Sequence, residues 1–141
     1  MTLHKPTILY YDHGNSEKRA AVEKALLPLG IALVPVTPPQ FLQTVGYLAG
    51  VKGFPSRKLS PMEILPEISQ ELMVMCNFKE ETLDMLLGAM KSGMVPRVAL
   101  KAMLTGQNCF WTFAQLFQEL YEEHQHFYVC RIFGHGYEQV T

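Results

Sequence analysis

The sequence predicts an α/β protein: a single domain over residues 1–141 in which two β-α-β-α halves share a small, mainly parallel four-stranded sheet. Three observations lead there. Short apolar runs rich in β-formers alternate with amphipathic helical stretches. That order occurs twice, at residues 7–50 and 72–126. A chain of 141 residues, 48% hydrophobic and 18% charged, suits one globular core. Each β-α-β stretch predicts a right-handed crossover between parallel strands. Two strands from one half cannot bury both faces of a sheet, whereas four from two halves can.

Taken in order, Thr7-Ile8-Leu9-Tyr10-Tyr11 reads as a strand that ends in the turn Asp12-His13-Gly14-Asn15. Ser16 is the expected cap of a helix whose apolar face is Ala21, Val22, Ala25, Leu26 and Leu29, and Gly30 stops it. Ile31–Val36 reads as the second strand, closed by Thr37-Pro38-Pro39, and Phe41, Leu42, Val45 and Leu48 mark a short helix. Residues 51–59 form a basic linker, and Ser60-Pro61-Met62-Glu63 has the form of a capped helix start. In the second half, Leu72–Met75 is the third strand. Asn77 is the expected cap of a helix buried through Leu83, Leu86, Leu87 and Met90 and ended by Gly93. Val95–Leu100 is the expected fourth strand and 104–108 a loop. Thr112 with Gln115 opens a last helix carrying Phe113, Leu116, Phe117, Leu120 and Tyr121. Residues 127–133 fit either a continuation of that helix or a strand.

Composition excludes several classes. No apolar run approaches the roughly 18 residues of a membrane span. A net charge of −1 argues against nucleic acid, and Lys52, Arg57 and Lys58 are too few to reverse this. The charge is nonetheless uneven: residues 1–60 carry seven Lys/Arg against three Asp/Glu, and residues 61–141 five against ten. Opposite signs on the two halves favour attraction within the molecule or head to tail between molecules. Cys76, Cys109 and Cys130 are odd in number and form no Cys-x-x-Cys pair. With an opening Met-Thr-Leu-His-Lys-Pro unlike a signal peptide, they predict a cytoplasmic protein without a disulfide framework.

From Val74 to His124 the sequence resembles a known family. Cys76-Asn77-Phe78-Lys79-Glu80-Glu81, then Leu100-Lys101-Ala102-Met103-Leu104-Thr105, then Asn108, Trp111-Thr112 and Glu119-Leu120 follow the pattern of the bacterial domain-of-unknown-function family numbered 3783. Gly106 stands where that family usually has proline, which loosens the loop. The resemblance implies the fold and a bacterial origin, and it implies no activity.

Function must then be sought where ligands bind parallel sheets, beyond the carboxyl ends of the strands. The loops expected there carry Asp12, His13, Asn15 and Ser16, then Thr37, then Asn77, and finally Lys101, Thr105 and Asn108. Together these nine residues form a candidate pocket for a small anionic ligand, with helix starts at Ser16 and Asn77 and the lysine as counter-charge. No GxGxxG, Walker or Gly-x-Ser-x-Gly motif is present, so neither a cofactor nor a catalytic set is expected. Among His124, His126, Cys130 and His135, a continuing helix puts only His126 and Cys130 on one face; two such residues can start a zinc site, but a structural one wants four fixed ligands, so a solvated end is the expected reading. Trp111, Phe110 and Phe113 read as core packing of the last helix. The expected function is a non-enzymatic binding or protein-interaction module, able to pair with a second copy of itself. The rival reading is a small enzyme acting on an anionic small molecule.

Overall fold

The computed structural model describes residues 5–58 and 66–132. The strands are β1 (Thr7–Tyr11), β2 (Ala32–Pro35), β3 (Leu72–Cys76) and β4 (Leu100–Met103). The helices are α1 (Ser16–Leu26), α2 (Val45–Leu48), α3 (Glu80–Ser92) and α4 (Phe113–Ile132). Residues 127–132 therefore continue the last helix. The Ser60–Glu63 helix start and His135 lie outside the described residues.

The sheet order is β2-β1-β3-β4. β1 pairs with β2 and β3 with β4 in parallel, as each β-α-β half requires. The two halves join through an antiparallel β1–β3 pair centred on Leu9 opposite Val74. The sheet is mostly parallel, as expected, with one antiparallel seam between the halves.

The central strands β1 and β3 are covered on both faces, which is why they read as continuous apolar runs, whereas the edge strand β2 is partly exposed. Alternation along the strands sends Leu9, Leu72, Val74 and Cys76 to one face, where Phe41, Val45, Phe113, Leu116 and Phe117 cover them. It sends Ile8, Tyr10, Met73 and Met75 to the other, against Val22 and Leu26 of α1 and Leu86, Ala89 and Met90 of α3. The molecule is thus three-layered: α1 and α3, the sheet, then the segments containing α2 and α4.

Several local expectations shift. Asn15 rather than Ser16 caps α1, its Oδ1 accepting from Lys18 N at 3.0 Å. Lys79 rather than Asn77 precedes α3, and Asn77 instead takes a left-handed backbone with φ 61°. Leu87 faces solvent and Leu83 is half-buried, so α3 is anchored mainly by Leu86, Ala89 and Met90. β4 begins at Leu100, where the expected strand ends. Val95 and Val98 are buried for packing, but the segment carrying them, interrupted by Pro96, pairs with no strand. Gly30 and Gly93 close their turns with φ 73° and 87°, a conformation that costs glycine little.

Candidate functional site

The antiparallel seam decides where the candidate residues stand. Tyr11 pairs with Leu72 and Thr7 with Cys76, so the carboxyl end of β1 lies beside the start of β3. Asp12, His13, Asn15, Ser16 and Thr37 therefore lie at one end of the sheet, and Asn77, Thr105 and Asn108 at the other. Five strand residues separate these ends, roughly 16 Å at ~3.3 Å per residue. The expectation of one shared edge required all four strands to run the same way. Eight of the nine residues thus form two groups, and Lys101 joins neither.

Lys101 is displaced as well. It lies within β4 rather than in a loop beyond it, opposite Met73, which in turn pairs with Tyr10. Two strand spacings, roughly 10 Å, thus separate it from the β1 row. Its Nζ donates to Val98 O at 3.4 Å, a local contact with its own chain.

At the first end, Asp12 organises a tight turn. Its Oδ1 accepts from Gly14 N at 2.9 Å and its carbonyl from Asn15 N at 3.0 Å, while His13 and Gly14 take positive φ. Asp12 Oδ2 lies 3.2 Å from Arg19 Nε, an ionic contact without an aligned hydrogen bond. The His13 ring meets Tyr11 edge-on at 5.9 Å. Thr37 donates its N–H to Gln40 Oε1 at 2.9 Å and receives Gln40 N–H on its carbonyl at 2.8 Å. At the second end, Thr105 N–H donates to Asn108 Oδ1 at 2.8 Å and Asn108 N–H to Thr105 Oγ1 at 2.9 Å. Asn108 Nδ2 also donates to Met103 O at 2.8 Å. Most of these polar groups are thus committed to turns and caps, which is what Asp, Asn and Thr commonly do at such positions.

Two features escape sequence reasoning. The first is a partly buried polar cluster at the seam. Glu71 accepts from Tyr10 Oη at 2.7 Å, Lys18 Nζ at 2.7 Å and Ala99 N at 3.1 Å, and Lys18 Nζ also reaches Arg97 O at 2.6 Å. One carboxylate thus ties α1 and β1 of the first half to the starts of β3 and β4. Burial, then the hydrogen bond to Glu71, pushes the Tyr10 phenol well above its ordinary value. Burial alone pushes the Cys76 thiol up to about 12, leaving it inert as a nucleophile. No local pattern around Glu71 announces this role.

The second feature is aromatic. Phe113 is fully buried as expected, but Phe110 is 69% exposed. Its ring stands 5.1 Å from Phe54, whose own ring lies against Gly46, beside the exposed Tyr47. The basic linker is pinned across this region: Arg57 Nη1 donates to Leu42 O at 2.9 Å, and Arg57 N to Gln43 Oε1 at 2.8 Å. Gly46 is the only signal in the sequence, since any side chain there meets Phe54 and Cys109 O at 2.9 Å.

Among the described residues no group of three or more His, Cys, Asp or Glu is placed to hold a metal ion. None of their helices is long and apolar enough to cross a membrane. Fold and surface together define a small three-layer α/β protein whose exposed rings are gathered beside its inter-half junction. Residues 71–127, in the second half of the chain, match the family model described as Domain of unknown function (DUF3783). The comparison with curated proteins returns no match, and the comparison with solved structures returns none either.

Proposed function

We propose that this chain is a non-catalytic protein-interaction module whose contact surface is the aromatic group Tyr47, Phe54 and Phe110. The observation that carries this reading is the exposure of the Phe110 ring, which meets a second ring, Phe54, at a tilt rather than being buried. Exposed aromatic side chains supply large contact area at little conformational cost and are enriched at protein interfaces. The enzyme reading has less support: its polar groups stand at two ends of the sheet, and Lys101 makes a local backbone contact.

The test is a photoreactive benzoylphenylalanine at position 110, with the same residue at Leu27, another exposed apolar site, as control. Irradiation in host-cell extract should give one protein adduct of discrete mass from position 110 and none from position 27. Adding Tyr47→Ser and Phe54→Ser should abolish it. An adduct of twice the 16.0 kDa chain mass identifies a second copy as the partner. No adduct at position 110, or the same adducts at both positions, overturns the reading.

A further inference from the structure

The two halves are alike in more than element order. Thr37-x-x-Gln40-x-x-x-Thr44 and Thr105-x-x-Asn108-x-x-x-Thr112 share one spacing, and each follows the second strand of its half. In each, the first threonine N–H donates to the carboxamide oxygen three residues on, at 2.9 and 2.8 Å. In each, the last threonine caps the following helix through Oγ1: Thr44 accepts from Tyr47 N and Thr112 from Gln115 N, both at 3.1 Å.

These equivalent positions also meet. Thr44 and Thr112 form an antiparallel bridge. The bonds around it are reciprocal: Val45 N donates to Trp111 O at 2.8 Å and Phe113 N to Gln43 O at 3.0 Å. The β1–β3 seam has the same symmetry, since Thr7 faces Cys76 just as Leu72 faces Tyr11. A pseudo-two-fold axis through the Leu9–Val74 pair and the Thr44–Thr112 bridge accounts for both sets of contacts. Such pairing, in which one patch meets its own equivalent, is the geometry of an isologous dimer interface.

We infer that residues 7–50 are a second, diverged copy of the unit matched at 71–127, and that the open edge of the unit's first strand is its docking surface for another unit of the same kind. In this chain the surface is filled within the molecule. The packing states why it must be filled. Every residue of β3 is buried, and both apolar clusters draw side chains from both halves. One unit alone has a two-stranded sheet, no complete core and an open edge, which is marginal on its own. The inference does not depend on the aromatic surface proposed above.

Native-state hydrogen exchange on the full chain tests it, in the wild type and in Thr44→Ala and Thr112→Ala. The amides of β1 and β3 should exchange with one common free energy, and sub-denaturing urea should lower both together. Loss of either cap should reduce protection in both strands alike, by about 2- to 30-fold for an ordinary cap. Two results overturn the inference: β3 staying protected in urea that frees β1, or Thr44→Ala lowering protection in the first half alone. Either would make 71–127 a self-sufficient domain and the first half an appendage.

Discussion

Removing the Glu71 carboxylate probes the contact between the halves most locally. In Glu71→Ala the fully buried Tyr10 hydroxyl loses its acceptor, and an unsatisfied buried hydroxyl costs about 1–3 kcal/mol. The Lys18–Glu71 pair adds little, about 0–1 kcal/mol, because both side chains keep partial access to solvent, 27% and 17%. The Ala99 N–H is exposed and turns to water. The expected loss is about 2–3 kcal/mol, while Lys18→Met should cost about 1 kcal/mol or less. Urea unfolding followed by fluorescence reads both, since Trp111, the one tryptophan, adjoins the Thr44–Thr112 bridge. A Glu71→Ala loss below about 0.5 kcal/mol, or no larger than that of Lys18→Met, would refute the reasoning. The cluster would then be a surface ornament and not a tie between halves.

Other expectations follow from burial and charge. Leu116→Ala should lose about 2–5 kcal/mol in the same assay, and the half-buried Leu83 clearly less, because cavity cost scales with enclosure. Gly46→Ala should destabilise by about 1–3 kcal/mol and raise protease sensitivity in residues 51–58, since the new methyl displaces Phe54 or presses on Cys109 O. Stability should fall as pH rises above about 9. The buried Cys76 thiol, and above 10 the Tyr10 phenol, keep protons in the folded chain that the unfolded chain has released. Melting temperatures from pH 8 to 12 should show this decline, and Tyr10→Phe with Cys76→Ala should flatten it.

Local signals in the sequence located most elements because they are set by neighbouring residues. Gly30 and Gly93 end helices through their free φ, Thr112 caps α4, and the runs at Ile8 and Val74 mark strands buried on both faces. The direction in which β3 meets β1 is different in kind. It depends on how residues 36–71 return the chain, and no periodicity in β1 or β3 encodes it. That single unknown decided the candidate site: with parallel strands Asp12 and Asn77 share an edge, and with the observed seam they lie at opposite ends. Lys101 moved for a related reason, since Val95 and Val98 supply the hydrophobicity of a strand while pairing with none. Phe110 was misread because an aromatic residue beside Trp111 and Phe113 has the composition of a core, and exposure is settled by packing across the junction.

The account stands on the antiparallel meeting of β1 and β3, which the proton–proton contacts between these strands measure directly. An isotope-edited nuclear Overhauser experiment on the full chain should connect the Cα proton of Ile8 with that of Met75 and the Cα proton of Tyr10 with that of Met73, the two non-hydrogen-bonded pairs of the seam. Short contacts between opposing Cα protons at the non-hydrogen-bonded pairs are the signature of this arrangement. Contacts joining Thr7 with Leu72 and Tyr11 with Cys76 would instead place the strands parallel and contradict it.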